Sequence, residues 1–183
     1  MLPYRVTICG LSELSQVISW GISHVVSILD PDHPYPTELE TIDASRREIF
    51  YFDDVTLPEE NRSPPERCDI ERLLEWGRGL LLGAEETHLL VHCHAGVSRS
   101  TAAAAILMLD HNPGLEDKVF QEISHLRSRN WPNSRMVQIA DDVLGCRGRF
   151  VAELKKHHAQ TAVHNPELAE LIRLHGRAHE VPD

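Results

Sequence analysis

The sequence predicts an α/β fold: a central mixed or parallel sheet of four or five strands, with helices on both faces. Three observations point there. Short runs of β-branched and aromatic residues alternate with stretches of helical periodicity. The runs stop at glycine, aspartate or proline. After the last of them, helical patterns follow one another alone.

The first run, Tyr4 to Cys9, is rich in β-formers and ends at Gly10. Ser12 is placed to cap a short helix carrying Leu14, Val17 and Ile18, with a stop near Gly21. His24 to Leu29 reads as a second strand ending at Asp30-Pro31, and Pro31, Pro34 and Pro36 write a loop after it. Ile49 to Phe52, apolar on both faces, reads as an interior third strand that ends at Asp53-Asp54. Thr56 to Pro65 is a proline-rich loop. From Glu66 to Leu82, the positions of Ile70, Leu73, Leu74, Trp76, Leu80 and Leu81 fit an amphipathic helix. Leu89 to Val91 is a buried strand, and Ala102 to Leu109 is a run of strong helix formers. Asn112-Pro113-Gly114 stops that helix. Val119, Ile123 and Leu126 mark the next. Another, through Met136, Val137, Ile139, Ala140, Val143 and Leu144, ends before Gly145.

At 183 residues, one domain is the default, large enough for a single core. It is assigned to residues 1–146, with 147–183 as a C-terminal extension rather than a second domain. That tail carries Arg147, Arg149, Lys155, Lys156 and five of the 12 histidines, and Leu168, Leu171 and Ile172 mark one short helix. Its composition reads as a solvated helix and a frayed end. Aromatic residues make up only 5%, so the core is expected to be mainly Leu, Ile, Val and Ala.

With 28 acidic against 18 basic residues, the net charge is −10. That balance argues against nucleic acid or an anionic membrane as the main partner, and positive potential for an anion must be local. The four cysteines have no disulfide or zinc spacing, and the histidines have no metal-ligand pattern, so neither metal nor cofactor is expected. No apolar run approaches the ~20 residues of a membrane span. Met1 to Arg5 lacks the features of a signal peptide. A reactive thiolate also needs reducing surroundings, so the expected location is cytoplasmic.

The stretch that carries chemistry is Leu89 to Thr101. A strand leads to Cys93, a tight loop holds Gly96, and Arg99 stands six positions after the cysteine at the start of a helix. Unpaired N–H groups at a helix start, with loop amides turned inward at a glycine, form a bowl for an anion. Arg99 adds a planar fork that grips two oxygens of a phosphate. Cys93 at the floor of such a bowl is expected to be a thiolate nucleophile. None of the other cysteines has an arginine six positions on.

His92-Cys93-His94-Ala95-Gly96-Val97-Ser98-Arg99-Ser100 resembles the signature loop of the cysteine-based protein-tyrosine and dual-specificity phosphatases. The resemblance implies a phosphomonoester hydrolase working through a cysteinyl-phosphate on Cys93. His94, Ala95, Gly96, Val97, Ser98 and Arg99 would bind phosphate. His92 would fix the loop, Ser100 would ease departure of the sulfur, and Asn133 would brace the loop from a later helix. Gln138 would help position water. The implied substrates are phosphorylated protein or a small phosphomonoester. Lysine is absent from the variable loop positions, which disfavours an inositol headgroup, and Tyr35 and Trp131 are candidates for the pocket rim.

A general acid must protonate the leaving oxygen. Phe52-Asp53-Asp54-Val55 resembles the acid segment of small bacterial members of that superfamily, which points to Asp54, 39 positions before Cys93, with Asp53 as the alternative. Asp69 stands next in line, although its position suits a helix cap. To donate near neutral pH, Asp54 needs its pKa raised by partial burial or by phosphate charge. Two other readings of the chain are a non-catalytic phosphate-binding module on this fold and a rhodanese-type thiol transferase.

Overall fold

Four branched and aromatic stretches become strands in the computed structural model, which describes residues 2–80 and 87–182. They are β1 (Arg5–Gly10), β2 (His24–Leu29), β3 (Arg47–Tyr51) and β4 (His88–Cys93). All pairings are parallel, in the order β1-β4-β2-β3. The sheet therefore has four strands and is purely parallel. Every residue of β4 is buried, as an inner strand of a doubly covered sheet requires.

β3 lies at an edge, which corrects the interior position expected for it. Its apolar appearance comes from Phe50 and the following Phe52, alternate positions that face one core. Tyr51 between them is exposed. The guanidinium of Arg72 covers the Phe50 ring at 4.2 Å.

Among the described residues there are seven α-helices: α1 (Leu14–Val17), α2 (Arg67–Gly79), α3 (Arg99–His111), α4 (Glu116–Leu126), α5 (Ser134–Leu144), α6 (Arg149–His164) and α7 (Pro166–Ile172); all but α6 coincide with a stretch read as helical from the sequence. Leu81 and Leu82, placed in the second helix by the sequence, lie outside the described residues. Ser12 does not cap α1. The chain instead enters through a 3-10 turn, where Glu13 Oε2 accepts the Gly10 N–H at 2.8 Å.

The two faces are unequally covered. Ile8, Val26, Ile28, Leu89 and Val91 join residues of α2 to α6 in a large core, while Cys9, Val25 and Leu90 meet Leu14, Val17 and Leu39 in a small one. Helix α3 runs through the large core with Ala102 to Leu109 all buried. Its partner α2 approaches closely at Gly77, where a Cβ would lie 2.3 Å from Leu107 Cδ2.

The tail is packed rather than solvated. Asp141, buried at the end of α5, accepts the N–H groups of Gly148, Phe150 and Val151 at 2.6, 2.8 and 3.2 Å and so anchors the start of α6. His157 and His158 are not surface charges but buried aromatic packers. His157 stacks on Phe120 at 5.3 Å and His158 on Trp131 at 4.3 Å. Leu168, Ala169, Ile172 and Val181 gather around Trp131 in a third cluster. Among the described residues, no helix is long and apolar enough to cross a membrane.

Candidate active site

The loop between β4 and α3 is shaped by two facing glycines. Gly96 has φ +68°, and a Cβ on it would stand 2.4 Å from the Cys9 carbonyl carbon. A Cβ on Gly10 would lie 2.9 Å from the His94 oxygen. The loop can therefore sit directly on the end of β1, where Leu11 N–H donates to His94 O at 2.9 Å.

The loop's other carbonyls are also held from outside. Arg127 donates to Gly96 O at 3.1 Å and Ala95 O at 3.3 Å while forking onto Glu13 at 2.7 Å twice. Trp131 N–H reaches Val97 O at 2.8 Å, and Asn133 N–H reaches Ser98 O at 3.3 Å. In a turn whose carbonyls point outward, successive amides face the opposite side, the geometry of an anion nest.

Cys93 ends β4 and is 2% exposed, with its sulfur 3.2 Å from Ser100 Oγ. Arg99 is equally buried. Its Nη1 donates to Asp30 Oδ1 at 2.7 Å and to Phe52 O at 2.6 Å. Its Nε has no partner among the described residues, so one edge of the fork is anchored and an atom of the other is free.

His92 lies under the loop, hydrogen-bonded through Nε2 to Ser27 of β2 at 2.7 Å. Burial pushes its imidazole down to about 4, against an opposing pull from the Cys93 backbone. His94 accepts the Asp30 N–H at 3.3 Å, and burial lowers its pKa too. Asp30 was missed by sequence reasoning. Only the position of β2 beside β4 brings it to Arg99, and its sole sequence signal was its place at a strand end.

Just past the end of β3, the two neighbouring aspartates separate. Asp53 turns to its own loop, accepting Ser63 N–H at 2.7 Å and pairing with Arg62 at 2.9 Å. Asp54 turns to the signature loop. Its Oδ1 accepts from Ser98 Oγ at 2.7 Å, Asn133 Nδ2 at 2.8 Å and Arg177 Nη1 at 3.3 Å.

Burial alone would push the Asp54 carboxyl up. The charges of Arg177 and then Arg99, with hydrogen bonds from Asn133 and Ser98, outweigh it and hold the group below the usual carboxylate range. The raised pKa expected of it is not found in this arrangement. Asn133 thus braces both the loop and Asp54, and its Oδ1 also caps α5 by accepting from Met136 N–H.

Asp69 is the capping residue of α2, bound to Glu66 N–H at 2.9 Å, and Gln138 is exposed on α5. Trp131 is wholly buried behind the loop, and Tyr35 packs at the margin of the small core, so neither is the rim residue that the sequence suggested. Arg177, in the stretch predicted to fray, is the second missed residue. It is 4% exposed and meets Ser98 Oγ at 2.7 Å.

A cleft of about 600 Å³ opens beside the loop, bounded by Val97 and Ser98, Asp54 and Val55, and Leu168 and Ile172 of α7. A larger groove, about 770 Å³, lies between α4 and α6, away from Cys93. Among the described residues, no cluster of His, Cys, Asp or Glu could hold a metal ion.

The family model described as "Swiss Army Knife protein, DSP-PTPase phosphatase domain" matches residues 9–139. No curated protein matches the chain. Among solved structures, the PTP-2 phosphatase of Cydia pomonella superposes with a TM-score of 0.60 at 19% identity, covering 75% of this chain and 84% of that one. The human tyrosine phosphatase-like serine/threonine/tyrosine-interacting protein gives 0.56 at 18% identity, over 76% and 87%. Human DUSP28 gives 0.56 at 14% identity, over 78% and 92%. At these identities the likeness is one of fold.

Proposed function

Because the chain belongs to the DSP-PTPase phosphatase-domain family, we propose that it hydrolyses phosphomonoesters through a cysteinyl-phosphate on Cys93. Its substrates on this reading are phosphorylated proteins, phosphotyrosine first with dual specificity admitted. The observation that carries the reading is the half-anchored fork of Arg99 beside Cys93. Nη1 is tied to Asp30 and Phe52 O, while Nε is buried with no partner among the described residues. A buried donor of this kind is costly unless an acceptor meets it, and a phosphate oxygen is such an acceptor.

In the first step the amides of residues 94–98 and Arg99 hold the phosphoryl group while the Cys93 thiolate attacks phosphorus. The ester bond breaks, and the leaving oxygen takes a proton from Asp54. Substrate phosphate brings negative charge beside Asp54, which raises its pKa toward the working pH. In the second step water attacks the phosphorus, Asp54 takes back a proton, and Ser100 stabilises the departing sulfur. A thiol transferase would have no use for a carboxylate bound to the loop, and a pure binding module none for Ser100 against the sulfur.

Cys93→Ser is expected to lower hydrolysis of aryl phosphates by roughly 10⁴-fold or more while tungstate still binds, because binding resides in the amides and Arg99. A folded Cys93→Ser protein that has lost tungstate binding as well would make Cys93 a structural residue.

A further inference from the structure

We infer that Arg177, carried in by the C-terminal segment, is a positioning residue for Asp54, clamping its Oδ1 together with Ser98 on the signature loop. The inference rests on Asp54 as the general acid. It starts from how the arginine is held. Glu180 Oε2 accepts from Arg177 Nε at 2.7 Å, and the same oxygen lies 2.6 Å from Nη2 as an ion pair, although Nη2 itself makes no hydrogen bond among the described residues.

Glu180 is itself fixed. It accepts Trp131 Nε1–H and Ser134 N–H, both at 3.1 Å, and its side chain is 2% exposed. The remaining nitrogen, Nη1, is thereby aimed at Ser98 Oγ (2.7 Å) and Asp54 Oδ1 (3.3 Å). A relay of contacts thus runs from the start of α5 through Glu180 and Arg177 to Asp54.

The tail is also attached by apolar contacts. Leu168, Ala169, Ile172 and Val181 already pack on Trp131. Burying a guanidinium is costly unless it is well paired, and here the second partner of the pair is the candidate acid itself. All three donors to Asp54 converge on Oδ1, an arrangement that leaves the proton of the acid form to Oδ2.

Arg177 also sets the charge balance around that carboxyl. Arg99 and His94 face it from the signature loop, Glu59 and Arg62 share the cleft from its own loop, and Arg129 and His175 line the cleft from beyond α4 and α7. Glu13 is paired with Arg127 on the far wall, and Glu180 stands behind Arg177. Of these, Arg177 is the strongest influence favouring the carboxylate.

The test is a carbon-13 titration of the Asp54 carboxyl, together with kcat against pH for phenyl phosphate and p-nitrophenyl phosphate, in wild type, Arg177→Met and Arg177→Lys. In Arg177→Met the titration and the falling limb of kcat are expected to move up by about one pH unit or more. Phenyl phosphate should slow more than the nitrophenyl ester, and lysine should return the limb most of the way. Arg177→Gln, which keeps a donor for Ser98, takes the place of methionine if that variant does not fold. An Asp54 titration that stays put in the neutral variants overturns the inference. If the titration moves and the limb does not, the clamp stands and another group is the acid.

Discussion

Two buried arginines meet at the candidate site, and they are held in different ways. Arg99 stands on the first turn of α3, at the end of the inner strand, tied to Asp30 and to the carbonyl after β3. Every part of its support belongs to the sheet or to the ends of its strands. Arg177 comes from beyond α7 and is held by Glu180 and by an apolar cluster around Trp131. The first is fixed wherever the sheet exists. The second depends on docking of a separate segment. On the proposed reading, phosphate binding is therefore the more robust function, and the setting of the acid is the more easily disturbed one.

The largest effect that could break this contrast is at Arg99. Arg99→Lys should lower kcat/KM by roughly 10³-fold and weaken tungstate binding, since a point charge cannot reproduce the fork. Near-normal turnover in that variant would remove the phosphate-bowl reading.

Asp54→Asn comes next. It should slow phenyl phosphate by roughly 10²-fold or more and the nitrophenyl ester by less than about tenfold, because a poor leaving group needs the acid most. Asp53→Asn, which only loosens the loop through Ser63 and Arg62, should be milder and indifferent to the leaving group. A reversed pattern would exchange the two roles.

A third test loosens the tail without touching the site. Asp141→Ala removes the acceptor of three N–H groups at the start of α6 and should cost roughly 3 kcal/mol of stability. In hydrogen exchange, α6, α7 and residues 173–181 should lose protection before β4 does. Uniform loss across both regions would mean that tail and sheet open as one unit.

A fourth test, of comparable size, is the pH dependence of the same docking. Burial pushes His157 down to about 4 and His158 well below its ordinary value, so both stay neutral in the folded protein. An unfolded chain takes up those protons near pH 6.5, the folded one only much lower. Stability is thus complete above about pH 6.5 and is lost as pH falls toward 4, by on the order of 3 kcal/mol for His157. His157→Gln should flatten the melting temperature between pH 6.5 and 4. An unchanged slope would assign the loss to His158 and His92, which are lowered in the same direction.

The contrast also explains what could be read from the chain alone. The strand, glycine, arginine and helix start of the signature loop are neighbours in sequence, so their arrangement was legible there. Asp53 and Asp54 lie past the end of β3, and different partners part them: Ser63 and Arg62 hold the first, Ser98 and Asn133 the second. Asp30 and Arg177 reach the site through sheet order and helix docking, which no local spacing encodes. His157 and His158 looked like surface charge because histidine reads as polar, whereas in the fold they act as flat neutral rings. The apolar positions Leu168, Leu171 and Ile172 did mark a helix, and with Val181 they were the available sign that the tail packs.

The order of the strands has one more consequence, for how the molecule comes into being. β1 finds no partner until β4 exists, and Arg5 pairs with His88, 83 positions further along. Closing so long a loop costs entropy before any contact repays it, and parallel pairings of this kind give slow, milliseconds-to-seconds folding. Gly10 and Gly96, which seat the signature loop on β1, meet only at that stage. Cys93 is thus exposed and unsheltered through the slow phase, and refolding yields should depend on reducing agent more steeply than the stability of the finished protein does.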